Sequence, residues 1–404
     1  MKRMIAGIVV IVLLLSGCQN NTQNTPANPT DADDPILFSA EKNAQNKYLL
    51  ADATCFQETD GFFCGTNLLG NYLQYYDKAS GISGVLCADP SCAHDSNECG
   101  ANIGSGASLS YYDGKLYWVG PEGSELQKRY LWQSDLSGMN RKKVMEIPFE
   151  DIIMTYQPQR YVIHQGKLYI MGSADVVDGT QTGKRVSLLS RSLSGDEGFT
   201  TVYDEVLPTG ALKTFRFVGG FVYISVVTFD DITSFDLTIK KTDIQKNTSE
   251  VIYQETDMPR APEKLWVTED HELYLTGSTG EKAYLWKIEN GSKKEITFWP
   301  AGEVADPDVM DGIAMLATRD ENKIRYVDIR NFSGETIYSG KLFPSAISGL
   351  DKDPNTYSFA VLGGDTEKLI INLTEFANMK MVDYTILLDL KDNMKATILW
   401  SSEE

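Results

Sequence analysis

The chain has 404 residues, six cysteines, three histidines and a formal net charge of −19. A surface this acidic repels phosphate backbones and anionic lipid headgroups, which argues against nucleic acid as a partner. Three histidines leave little material for a histidine-based active site.

The chain opens with MKRMIAGIVVIVLLLSGCQN. Lys2 and Arg3 form a positive n-region, and Ile5 to Leu15 form an apolar run too short to span a bilayer comfortably. Leu15-Ser16-Gly17-Cys18 resembles the lipobox of bacterial lipoproteins. The resemblance implies a signal peptide over residues 1–17, cleavage before Cys18, and a lipid-modified Cys18 carrying acyl chains such as palmitate. An ordinary secretory signal with a chance cysteine is the alternative. Two or three acyl chains hold a protein on a membrane where one does not, so the expected location is the outer face of the cell membrane. Without Lys2 and Arg3 the charge falls to about −21. Residues 18–35 carry the lipidated cysteine and a polar, Pro-containing stretch without apolar periodicity, read as a disordered tether.

Residues 36–404 read as one all-β domain. A turn followed by a short aromatic strand recurs as TDGFFCG, YDGKLYWVG, HQGKLYIMG, VGGFVYISV, EDHELYLTG, MDGIAMLAT and DPNTYSFAVLG. The matching positions are Phe63, Tyr117, Tyr169, Tyr223, Tyr274, Met315 and Phe359, spaced 54, 52, 54, 51, 41 and 44 residues apart. Each spacing suits one four-stranded blade. Third strands such as YLWQSDLSGMN and YLWKIENGSKK turn through Gly, Asn or Asp into β-branched outer strands. The expected fold is a seven-bladed β-propeller of four-stranded blades, with six or eight blades as alternatives. The pattern resembles TolB-like and quinoprotein-like extracellular propellers over most of residues 50 to 400, an architectural likeness that leaves function open.

On this map the first-to-second turns, YDGK, HQGK, VGGF, EDHE and MDGI, are tight and leave little room for a ligand. Longer connections at 119–129, 172–185 and 362–383 lie on the opposite face, and residues 372–381 are the best helical candidate, a possible lid. His164 and His271 fall at tight turns and read as exposed turn residues, distant from each other and from Cys87.

With Cys18 assigned to lipid, five cysteines remain. Cys55 and Cys64 flank the first turn symmetrically, as cross-strand partners of a possible disulfide. LCADPSCAHDSNECGA then gathers Cys87, Cys92, His94 and Cys99 into one connection. A Cys₃His set is one that zinc favours, and four protein ligands describe a closed, structural site rather than a catalytic one. The spacing Cys-x4-Cys-x-His-x4-Cys differs from paired Cys-x2-Cys knuckles, and Cys-x-His points neighbouring ligands to opposite sides of an extended chain. A disulfide among the three, with one thiol left over, is the competing reading in an oxidising compartment. A reactive thiol is a third. The segment Cys87-Ala88-Asp89-Pro90-Ser91-Cys92-Ala93-His94 also resembles a Cys-x-x-Pro-x-Cys-x-His signature of propeller-type lipoproteins of Gram-positive bacteria. That likeness implies location and fold.

Asp351, Asp353 and Asn355 sit at the alternate positions that open calcium loops, but Thr356 and Leu362 stand where glycine and glutamate are needed. Asp306, Asp308 and Asp311 have the wrong spacing. Both sets read as turn acids. No phosphate loop, Ser-His-Asp order or His-Glu-x-x-His occurs. The six tryptophans fall mostly in repeat strands and read as packing between blades. The functional expectation is a membrane-anchored extracytoplasmic lipoprotein whose propeller binds a protein, peptide or glycan on its long-loop face. The alternative is an extracytoplasmic lyase or hydrolase using carboxylates at the channel mouth.

Overall fold

The computed structural model describes residues 55–57, 61–65 and 72–402, apart from short interruptions at 97–98, 105–108, 123–124, 148–160, 179–180, 208, 232–233, 263, 301–306, 351 and 378–379. The fold described here lies within residues 36–404. Among the described residues no helix is long and apolar enough to cross a membrane.

The architecture is all-β. Seven four-stranded antiparallel sheets follow one another along the chain, each built from four consecutive strands in simple up-and-down order. The second sheet is typical: Leu109–Tyr112, Lys115–Glu122, Glu125–Asp135 and Lys142–Ile147. Its first turn places Asp113 and Gly114 at φ 49 and 74°, the left-handed pair that a tight two-residue hairpin demands. The recurrent tyrosine one strand later is buried in four successive sheets, at Tyr117, Tyr169, Tyr223 and Tyr274. Apolar clusters fill the spaces between neighbouring sheets, such as Tyr169, Phe217 and Ile224 between the third and fourth. Met315, Ile329, Leu373 and Ile386 do the same between the sixth and seventh. Trp118, Trp266 and Trp299 are all buried in these seams, as expected of blade packing.

The expectation of a seven-bladed propeller is overturned: the protein is a six-bladed β-propeller of four-stranded blades. Six sheets, from Leu109 to Ser401, are regular four-stranded blades. The first sheet is a reduced one, with strands Cys55–Gln57, Gly61–Gly65, Leu73–Asp77 and Ile82–Val85. Its outer strands touch the last strand of the chain, Lys395–Ser401. Among the described residues, Ile370 and Leu399 are fully buried there, with Tyr76 against them. The turn signature weights every unit alike, whereas strand length and buried area decide which unit is a full blade.

Three further readings are corrected. Residues 372–381 form no helix; they belong to the strands Lys368–Ala377 and Lys380–Asp389 of one hairpin. Leu369, Ile371 and Leu373 alternate inward there with period two. The connections at 119–129 and 172–185 are likewise extended hairpins, the latter pairing continuously from Lys167↔Ser192 to Asp178↔Gln181. Phe359 lies on the first strand of its blade, Ser358–Gly364. The DKDPN segment therefore precedes that blade as a capped 3-10 turn, Pro354–Thr356, with the Asp353 carboxylate accepting from the Asn355 amide.

Candidate metal centre

The connection that leaves Val85 at the end of the first sheet is exposed over Ala88–Ser91 and buried at its far end. It wedges into the seam between the first and second sheets, where Cys99, Ala101 and Ile103 are buried with Leu73, Leu116 and Trp118. Backbone hydrogen bonds hold the wedge at both ends: Leu86 N donates to Leu73 O at 2.8 Å, and Leu73 N donates to Ala101 O at 2.8 Å. From the second sheet Gly138, at φ +77°, presses against Leu86. A Cβ there would stand 2.7 Å from Leu86 O.

Within the wedge the local sequence dictates tight turns. The Asp89 carboxylate accepts from the Ser91 amide and hydroxyl at 2.8 and 2.7 Å. Pro90 fixes φ between them, and Cys92 N closes the turn on Asp89 O. A second turn runs from Ser96 O to Cys99 N. Asn102 N then donates to Cys99 O at 2.9 Å. His94 adopts φ 56°, in the left-handed region. That single residue breaks the extended geometry that would send Cys92 and His94 to opposite sides.

All four residues named from the sequence meet. The ligand atoms of Cys87, Cys92, His94 and Cys99 lie within 4.8 Å of one another. His94 Nδ1 stands 3.4 Å from Cys99 Sγ. A tetrahedral zinc with ordinary bond lengths requires N···S edges of about 3.6 Å and S···S edges of about 3.8 Å. The donor set is one that a tetrahedral divalent ion takes, and its atoms lie close enough together to be compatible with a structural metal. The three thiols are free, and no disulfide joins them.

The electrostatics distinguish the thiols. Burial and the two neighbouring sulfurs push Cys99 up to about 12. Burial also opposes ionisation of Cys87, but hydrogen bonds from the Asp89 backbone and the Cys99 and Cys92 thiols bring it below its ordinary value. Tyr72, whose ring lies 6.5 Å from that of His94, is raised by burial and by Cys99.

Sequence reasoning missed the surroundings of the cluster. Arg141, in the last turn of the second sheet, donates from Nη1 to Asn102 O at 2.6 Å and to Gly100 O at 3.4 Å. Its guanidinium lies 4.5 Å above the Trp132 ring and 5.2 Å from that of Trp118. Those indoles stack 6.5 Å apart, from cross-strand positions that pair directly. From the sequence the tryptophans read only as packing between blades, and nothing in the sequence singles out Arg141.

The other candidates fall elsewhere. Cys55 and Cys64 are direct register partners in the first hairpin. Cys18, Asp306 and Asp351 lie outside the described residues. Asp308 is ion-paired with Lys264. His164 is the opposite of an exposed turn residue, being 1% exposed, with Nε2 donating to Gly219 O at 2.7 Å. Burial lowers it to about 4. His271 is exposed and approaches the same Gly219 turn, with Tyr223 OH 2.8 Å from its Nδ1. The two histidines thus flank one turn instead of being unrelated.

No protein-family profile matches this chain, and no curated protein sequence does. Solved structures do share its fold. A puromycin hydrolase aligns at 13% identity and a TM-score of 0.52, over 89% of this chain and 55% of that one. The Pyrococcus horikoshii acylaminoacyl peptidase aligns at 14% identity and a TM-score of 0.50, over 89% and 54%. The chain therefore spans about half the length of each, and at these identities the likeness is one of fold.

Proposed function

We propose that this protein is a lipid-anchored, extracytoplasmic β-propeller that acts as a binding module, with a structural zinc site at Cys87, Cys92, His94 and Cys99. The observation that carries the reading is the closed donor set inside the seam between sheets. Four protein ligands fill a tetrahedral ion, and no open position remains for substrate or activated water. The metal would then do for the reduced first sheet what its short strands do poorly, which is to hold it to its neighbour.

Binding falls to the face of the second-to-third hairpins. Near their tips Phe376 and Phe229 are 68% and 37% exposed. Large aromatic side chains left in solvent at hairpin ends suit contact with a protein or peptide partner.

Three measurements test the proposal. Metal analysis with thiol titration, without chelator, should give one zinc per chain released on acidification. No metal and at most one reactive thiol would overturn the site. Metabolic labelling with a palmitate analogue should mark the protein and fail on Cys18→Ser; equal labelling of both would overturn the anchor. Phe229→Glu with Phe376→Glu should abolish saturable binding of residues 36–404 to intact cells of the source bacterium. Unchanged binding would remove the hairpin face from the reading.

A further inference from the structure

We infer that Arg141 is the charge partner of an anionic metal–tris-thiolate centre; the inference rests on the metal reading above and says what charge that centre carries. A divalent ion bound by three cysteine thiolates and one neutral histidine keeps one net negative charge, after three thiol protons leave to solvent. A disulfide with one remaining thiol carries none. The surroundings of the site distinguish the two cases.

Arg141 is half-buried against two indole rings, and burial lowers its pKa from the ordinary value. Among the described residues no carboxylate pairs with it, and its hydrogen bonds go to the carbonyls of Gly100 and Asn102. The buried ligand Cys99 directly precedes those two carbonyls in the chain, and its own carbonyl accepts from Asn102 N. A guanidinium taken out of water without an anion is costly. Thiolates held by a metal supply that anion, and protonated or oxidised sulfurs do not. The carbonyls that Arg141 grips belong to Gly100, next to Cys99, and to Asn102, which bridges to Tyr72, so the same side chain holds the backbone that follows the buried ligand. Arg141 is thus a positioning residue with an electrostatic role, of the outer-shell kind that orients and tunes metal ligands.

The test uses the full-length protein in mild detergent, loaded with cobalt(II) and titrated against a competing chelator. Thiolate-to-cobalt absorption reports the intact Cys₃His set. Arg141→Met keeps the length and the stacking on indole but removes the charge, and should weaken cobalt binding by about 10- to 100-fold. Arg141→Lys should stay within about threefold of the parent, because it restores the charge. In a Cys92→His background the divalent complex is neutral, and there Arg141→Met should cost less than about threefold. Arg141→Met binding as tightly as the parent would overturn the inference. So would Arg141→Lys losing as much as the methionine variant, or an equal loss in both ligand backgrounds. Should the methionine variant fail to fold, the lysine variant alone decides: a tenfold loss with the charge retained overturns the assignment. A parent protein that binds no cobalt and no zinc defeats the metal reading itself, an outcome distinct from each of these.

Discussion

His164 offers a direct check of the fold through proton linkage. It is 1% exposed, its ring packs 5.1 Å from Phe217 and 6.4 Å from Tyr169, and Nε2 donates to Gly219 O. Desolvation lowers its pKa from 6.5 to about 4 in the folded chain. As pH falls, the unfolded chain takes up this proton first. The stability tied to the neutral ring is therefore fully present above about pH 6.5 and is lost as pH falls toward 4. With those two values the loss is about 2 kcal/mol at pH 5 and about 3 kcal/mol at pH 4. His164→Phe keeps a ring against Phe217 but gives up one hydrogen bond, a cost of about 1 kcal/mol at neutral pH. Gln165 Nε2 also donates to Gly219 O, at 3.1 Å, which softens that cost. The variant should therefore be less stable than the parent at pH 7.5 and more stable at pH 5, with the two curves crossing near pH 6. Urea denaturation of residues 36–404 at both pH values measures the difference, and subtraction cancels the other titrating groups. A parent-to-variant difference that stays constant with pH would refute the burial of a neutral His164.

Other outcomes follow from the same structure. With free zinc at a thousandfold excess over its dissociation constant, the centre contributes about 4 kcal/mol. Removal by chelator should then lower Tm by about 5 °C for a domain of roughly 370 residues, and Cys99→Ser should be equally unstable but indifferent to chelator. Asn355, 2% exposed, bonds both the N and the O of Phe343 at 2.8 Å. Asn355→Ala should cost about 2–3 kcal/mol in urea, because it strands two buried backbone groups. Gly138→Ala should lower Tm, since a Cβ at φ +77° meets Leu86 O at 2.7 Å. An unchanged Tm would mean that the turn does not press on the cysteine wedge.

Much of this protein was legible before any coordinates. Alternation of aromatic and β-branched residues, punctuated by Asp-Gly and Gln-Gly turns, determines four-stranded antiparallel units, because side-chain direction in a strand has a strict period of two. The donor set of the metal centre was legible too: Cys87, Cys92, His94 and Cys99 share one connection, so little chain rearrangement is needed for them to meet. The tertiary structure decided what depends on neighbours distant in sequence. Strand length separates six full blades from a reduced first sheet. An apolar alternation at Leu369, Ile371 and Leu373 is ambiguous between helix and strand until its partners at Ile386 and Leu388 are known. His164 is buried only because the next blade brings Phe217 and Gly219 over its turn. Arg141 lies 42 positions beyond Cys99, and packing of the second sheet against the first brings its guanidinium to the carbonyls of Gly100 and Asn102 beside that cysteine. Desolvation and Coulomb interaction are set by distance in space, and only the assembled ring fixes that distance.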